Sequence, residues 1–290
     1  ITIIQLISRS ADLSPFVTNF SRLDFSQFLV IKDLSIIEPQ KRKVLNRDVP
    51  KALNHFNYSD QYLITFKNVS VSYEEKPILK NINWKIKKGE FWELAGKNGS
   101  GKTTLLSMVT GDNPKAYGQD IFLFGTRKGS GESVWDIKKN IGYFTPAMVD
   151  RFRGYHSLEN MLISGLLDSI GLYIKPGEAQ LRVAREWLAL LNMEDKKDSY
   201  FHNLSLGQQR LIMCARAMIK HPLLLILDEP TAGLDDASAA LVVDLVNKMA
   251  AESHTTIVFV SHRKEPELKA PFTYELVCTS EGSVGKVVEN

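Results

Sequence analysis

Gly96-Lys97-Asn98-Gly99-Ser100-Gly101-Lys102-Thr103-Thr104 decides the reading of this chain, and it fits the pattern G-x-x-x-x-G-K-[ST]. Just before it, Phe91 to Ala95 reads as a strand. From Lys102 onward, Leu105, Leu106, Met108 and Val109 recur at helical spacing. A strand, a glycine-rich loop and a helix form the setting in which the pattern has chemical meaning. The glycines let successive backbone N–H groups converge on phosphate oxygens, and the helix N-terminus adds the positive end of its dipole. Lys102 is then placed to reach the outer phosphates, and the Thr103 hydroxyl to coordinate Mg²⁺.

Downstream, Leu223-Leu224-Leu225-Ile226-Leu227 is a run of large apolar residues ending in Asp228-Glu229. Such a run predicts a strand buried on both faces of a parallel sheet. Its carboxyl end, where open α/β sheets bind ligands, delivers Asp228 to hold Mg²⁺ and Glu229 to orient an attacking water. Leu204-Ser205-Leu206-Gly207-Gln208-Gln209-Arg210 leads into another helix about 24 residues before Asp228. Taken alone this stretch reads as a capped helix; at that distance from Asp228 its start can present backbone amides and Ser205 to a phosphate. Ser261-His262 closes a further apolar strand, Thr255 to Val260, and a histidine there can hydrogen-bond a γ-phosphate.

Working outward, Leu158 to Ile170, Ala179 to Leu191 and Leu204 to Lys220 read as amphipathic helices, the last stopped by Pro222. Strands alternating with helices make this an α/β domain. The 290 residues allow about two average domains, or one large α/β domain with an appendage. A composition 44 % hydrophobic and 24 % charged excludes fibrous and wholly disordered classes. Thirty-six Lys plus Arg against 33 Asp plus Glu leave a formal charge of only +3, which gives no electrostatic case for nucleic acid as the main partner. No apolar run approaches the roughly 18 residues of a membrane-spanning helix, so a membrane role would need another polypeptide. Cys214 and Cys278 sit in apolar sequence and are expected to be buried thiols in a reducing, intracellular compartment, with cytoplasm and mitochondrion left unresolved.

Ile1-Thr2-Ile3-Ile4-Gln5-Leu6-Ile7, followed by Ser8-Arg9, resembles Thr255 to Val260 with Ser261-His262. A shift of 253 positions lays Arg9 on His262 and Asp12 on Glu265. Either residues 1–37 are the tail of a preceding copy of the same domain, or they form an N-terminal strand that pairs with the sheet. A chain beginning with Ile1 reads as a piece of a longer one. Residues 38–60 lack periodicity and are expected to be a linker, with residues 61–290 as the main domain.

These motifs together resemble the ATP-binding-cassette (ABC) ATPases over about residues 61–290. The resemblance implies a P-loop NTPase with a RecA-like core sheet, an antiparallel β subdomain and a helical subdomain over roughly residues 147–205. It implies ATP and Mg²⁺ as ligands. Catalysis would rest on Glu229, His262 and Lys102, and the metal on Thr103 and Asp228. Nucleotide contacts would come from Tyr73, on which adenine stacks, and from Gly96, Asn98, Gly99, Ser100, Gly101, Lys102, Thr103 and Thr104. Ser205, Gly207 and Gln208 match the family's signature, with Leu206 where a glycine is usual, and Asp235 falls in its D-loop. By its residues alone Tyr73 is an ordinary strand aromatic. Arg127 to Glu132, Trp135 to Lys139 and Asp168 to Gly171 carry a likeness to soluble tandem members of the family, which hold two cassettes on one chain.

Two departures bear on function. Family members usually carry a glutamine three residues after Ile-Gly-Tyr; here the string is Ile141-Gly142-Tyr143-Phe144-Thr145-Pro146, with no glutamine before Gln180. Proline has no amide side chain and no N–H, which speaks against ordinary coupling to a transmembrane domain. Arg9 at the aligned histidine position carries a fixed charge and cannot imitate a neutral imidazole, so two composite sites in such a protein would be unequal. The leading expectation is a soluble ATPase whose partner is a second cassette, either the N-terminal half of the same chain or another copy. The alternative is the ATP-hydrolysing subunit of a transporter with membrane domains on another chain; a repair or translation cassette and a sensor without turnover rank below it. The physiological partner is not readable from the sequence.

Overall fold

The computed structural model describes residues 44–54, 56, 58–152 and 154–289, together with residues 7, 9, 12, 17, 20–24 and 27–31. Most of the repeat expected around Ile1 to Ser8 therefore lies outside the described residues; Arg9 and Asp12 are within them. β1 (Phe20–Asp24) and β2 (Gln27–Ile31) form a separate antiparallel hairpin.

The glycine-loop strand sits in a six-stranded sheet. Its members are β5 (Phe91–Gly96), β8 (Ile141–Phe144), β9 (Leu224–Asp228), β10 (Thr256–Ser261), β11 (Phe272–Val277) and β12 (Val284–Glu289), in the order β12-β11-β5-β10-β9-β8. All neighbours are parallel except the edge pair of β11 and β12. A second, antiparallel sheet of order β4-β3-β6-β7 contains β3 (Tyr62–Tyr73), β4 (Lys76–Lys87), β6 (Asp120–Leu123) and β7 (Thr126–Arg127).

The apolar run of β9 behaves as its composition predicts. Leu225 and Leu227 face one buried layer and Leu224 and Ile226 the other, because successive side chains point to opposite faces. The first layer is covered by helices: α3 (Leu158–Leu166), α4 (Glu178–Leu190), α5 (Leu206–Met218) and α6 (Asp236–Glu252). The second is covered by α1 (Lys102–Val109) and the antiparallel sheet, and a short α2 (Val134–Lys138) closes its edge. Trp84 stacks on Tyr274 at 4.6 Å and meets Trp92 edge-on at 5.8 Å, tying the two sheets together. Arg216 on α5 donates to Ser164 Oγ at 2.9 Å and Ser169 O at 2.6 Å, which fastens α3 to the core.

Several local expectations change. The first of the three helices stops at Leu166, and Asp168 turns the chain with φ 51°. The described residues of 44–58 include no helix or strand but lie against the domain: Leu45 is buried, and the Pro50 carbonyl is 2.7 Å from His221 Nε2. Cys214 is buried, yet Cys278 is exposed, because it leaves the end of β11 into the turn before β12. No helix among the described residues is long and apolar enough to cross a membrane.

Candidate active site

β5, β10 and β9 are neighbours, and their register brings three motifs to one edge. Ala95 lies opposite Ser261, and Val260 opposite Asp228. Adjacent strands stand roughly 4.8 Å apart, so parallel pairing places the glycine loop, His262 and the acid pair side by side at the carboxyl ends.

The loop leaves β5 at Gly96, where a Cβ would come within 2.5 Å of Ser100 Oγ and 3.0 Å of Leu276 O. It enters α1 through Gly101, whose φ of 92° and 2.7 Å approach to Leu79 Cδ2 leave no room for a side chain. No side chain caps α1 and no acid lies in its first turn. Its leading N–H groups are therefore without an intrahelical or side-chain partner. Lys102 is buried, and its Nζ donates to Gly96 O at 2.6 Å and Lys97 O at 3.2 Å. Ser100 Oγ is buried without a partner. Around Gly99 nothing would meet an added Cβ within 4 Å. An orphan hydroxyl, uncapped amides and a cation held only by carbonyls form a donor set suited to phosphate oxygens.

The acids face this loop. Burial pushes the Asp228 carboxyl up to about 6, the Glu229 charge adds to that, and Lys102 pulls it back. Glu229 adopts φ 49°, unusual for a non-glycine, while its N–H donates to Val260 O at 3.0 Å. Its Oε2 lies 2.7 Å from His262 Nδ1. Arg263 Nε donates to His262 Nε2 at 3.2 Å, so the network assigns the imidazole proton to Nδ1, which donates to Glu229. Among the described residues no cluster of three or more His, Cys, Asp or Glu could hold a metal. Thr103 and Asp228 offer hard oxygen ligands. They fit Mg²⁺, which takes one or two protein ligands and completes its shell with water and phosphate.

The remaining expected residues form other clusters. Ser205 caps α5: its Oγ accepts from Gln208 N at 3.4 Å, while Gln208 Oε1 accepts from Ser205 N at 3.2 Å. A Cβ on Gly207 would come within 2.3 Å of Ser238 Oγ on α6. Asp235 caps α6, accepting from Ser238 N at 2.9 Å and Ser238 Oγ at 2.7 Å. Burial raises its carboxyl, but these bonds outweigh it and hold the group below the usual range. Tyr73, 40 % exposed beside the β3–β4 turn, accepts from Asn113 Nδ2 at 2.9 Å. The Lys115 ammonium sits 5.9 Å from its ring centroid. Pro146 opens a 3₁₀ turn, Pro146–Arg151, directly after β8.

Two neighbours of the site escaped sequence reasoning. Burial pushes the Tyr143 hydroxyl up to about 12, with the charges of Asp228 and Asp112 adding to it. Its only signal was its place near the end of a strand that pairs with β9. Arg263, adjacent to His262 in sequence, is its hydrogen-bond partner.

A family model described as ABC transporter matches residues 79–232. The chain is 42 % identical over 242 residues to the ABC transporter ATP-binding protein ModF of Escherichia coli K12, covering 83 % of this chain and 49 % of that protein. It thus spans about half the length of that relative. A putative ABC transporter ATP-binding protein of Streptococcus mutans is 33 % identical over 204 residues, covering 70 % of this chain and 78 % of that one. Among solved structures, cbiO1 of Clostridium perfringens, part of the ABC transporter complex cbiONQ, superposes with TM-score 0.65 at 24 % identity, over 79 % of this chain and 89 % of that one.

Proposed function

The chain belongs to the ATP-binding-cassette family of ATPases, and on that premise we propose that residues 61–290 bind Mg-ATP at the 96–104 loop and act as half of a head-to-tail cassette pair in a soluble tandem protein. One observation carries the reading: the adjacent ends of β5, β10 and β9 gather Lys102, His262, Asp228 and Glu229 along one edge beside an uncapped helix. Lys102 supplies the cation for the outer phosphates, and the amides of residues 99–104 surround them. Thr103 and Asp228 hold Mg²⁺, which when bound neutralises phosphate charge and draws Asp228 into its ionised form. Glu229 orients the attacking water and takes its proton, while His262 keeps the carboxylate aimed through the Nδ1 bond. Tyr73 offers its ring to the base. Ser205, Gly207, Gln208 and Asp235 sit at the N-terminal ends of α5 and α6, a surface fitted to the nucleotide of a second cassette. Pro146, with no amide side chain where the family usually has a glutamine, favours a soluble partner over a membrane domain. Two free thiols, one of them exposed, favour a reducing intracellular compartment.

Glu229→Gln tests the assignment. The variant should bind Mg-ATP as tightly as the parent and lose turnover. Turnover that persists removes Glu229 from its role. In the full-length protein the same variant, trapped with ATP, should retain the physiological partner for identification; an integral membrane protein in that complex would favour the transporter reading.

A further inference from the structure

Arg9 reaches the far end of the chain. Its Nη1 donates to both Glu265 oxygens, at 3.0 and 3.1 Å, its Nη2 to Thr231 O at 2.8 Å and its Nε to Leu234 O at 3.2 Å. Thr231 Oγ1 donates to Glu265 Oε1 at 2.6 Å. Arg9, Thr231 and Glu265 are all buried. A guanidinium is the one side chain that can serve a carboxylate and two carbonyls at once in this geometry. Three residues on, Asp12 Oδ2 takes Arg263 Nη1 at 2.7 Å. That guanidinium donates to His262 Nε2, and His262 Nδ1 meets Glu229 Oε2. Asp12, Arg263, His262 and Glu229 thus form one hydrogen-bonded row ending on the proposed base.

We infer that Arg9 and Asp12 are a clip that positions the catalytic loop: Arg9 fixes the backbone of 231–234, and Asp12 fixes the imidazole of His262 through Arg263. This rests on the reading of Glu229 and His262 as the hydrolytic pair. The contact is reciprocal. Under the 253-residue shift Asp12 is equivalent to Glu265, and each of these carboxylates takes an arginine from the other segment, the two arginines being offset by one position because Arg9 falls on His262 rather than on Arg263. Two-fold-related contacts approximate this form, in which the same patch serves both partners, and here the match holds to within one residue. The clip therefore fits a contact between equivalent segments of two related units, and it gives the unit containing Arg9 a physical hold on the hydrolytic loop of the other. Arg9 and Asp12 are positioning residues; neither touches the nucleotide site directly.

Hydrogen exchange and kinetics on this chain test the clip with Arg9→Ala, Arg9→Lys and Asp12→Asn. The amides of Ala232 and Leu234 bond within the loop, to Glu229 O and Thr231 O, and report its order. In Arg9→Ala they should exchange faster by roughly tenfold or more, with other protected amides unchanged. ATP affinity should hold while kcat falls roughly 10- to 100-fold. Arg9→Lys, which keeps the charge but cannot serve all three acceptors, should lie between; it also decides the matter if the alanine variant does not fold. Asp12→Asn should lower kcat without changing exchange at 231–234. Unchanged exchange in both Arg9 variants overturns the clip, as does a kcat loss matched by an equal loss of ATP affinity. A parent chain that binds no Mg-ATP overturns the proposed function instead, and the exchange measurement still judges the clip.

Discussion

The N-termini of α1 and α5 look alike in sequence, since each opens a helix beside a glycine and each was read as a phosphate site. In the structure they are opposites. At α1, Gly101 offers no side chain, no acid lies in the first turn, and Lys102 rests on two carbonyls of its own loop. At α5, Ser205 and Gln208 satisfy each other in a capping box. Four helical N–H groups without partners are costly to leave dry, so the first end gains from a ligand while the second is stable without one. The difference teaches that two helix ends alike in sequence differ in unmet donors, and it fits the proposal that the first holds the chain's own nucleotide while the second serves another cassette.

Lys102→Ala breaks this comparison at its stronger end. In the parent chain, Mg-ATP at 100 times its dissociation constant should add about 2.7 kcal/mol of stability. That corresponds to a rise of roughly 5 °C in melting temperature for a domain of this size. In the variant the rise should vanish, because the only buried cation of the loop is gone. Calorimetry with and without Mg-ATP measures it, and an equal rise in both proteins would take the open helix end out of nucleotide binding.

Asp228→Asn sharpens the same contrast by probing the charge that awaits a cation. A carboxyl raised to about 6 in the fold binds more protons than its unfolded counterpart between about pH 4 and pH 6. The nucleotide-free fold is therefore favoured at low pH and loses that advantage as pH rises through about 6, the reverse of a paired surface carboxylate. At pH 7.5 the asparagine variant should be more stable than the parent by about 1–2 kcal/mol after solvent screening. At pH 4 the two should coincide. Denaturant unfolding at both pH values checks the sign, and the variant should lose the Mg²⁺ dependence of ATP binding.

What was legible in the sequence is what short-range chemistry dictates. The glycine loop, the apolar run ending in Asp228-Glu229 and the strand before His262 each declare themselves within ten residues, and parallel pairing then does the assembling. A capped helix is legible at Ser205, whereas Asp235 is visible only as a motif residue, because a motif does not say whether its donors are already satisfied. Cys278 was misjudged since apolar neighbours in sequence do not bury a residue that follows a strand end. In the sequence Arg9 stands out only by falling on His262 under the 253-residue shift. Its bond to Glu265 spans 256 positions, and no local pattern encodes a contact that far away.

Ser205→Ala is the mildest test and the one that separates cap from ligand site. Losing an N-cap oxygen costs about 1 kcal/mol, and α5 is packed between the sheet and the other helices, so this should appear as a lower unfolding midpoint. ATP affinity measured on the chain as a monomer should not change, since the Ser205 hydroxyl is spent on its own capping box. Turnover is where the two roles part. If α5 serves the nucleotide of a second cassette, activity in the parent should rise with protein concentration as head-to-tail pairs form, and that rise should be lost in the variant. A variant that loses stability yet keeps the full concentration-dependent rise would leave Ser205 as a helix cap and nothing more.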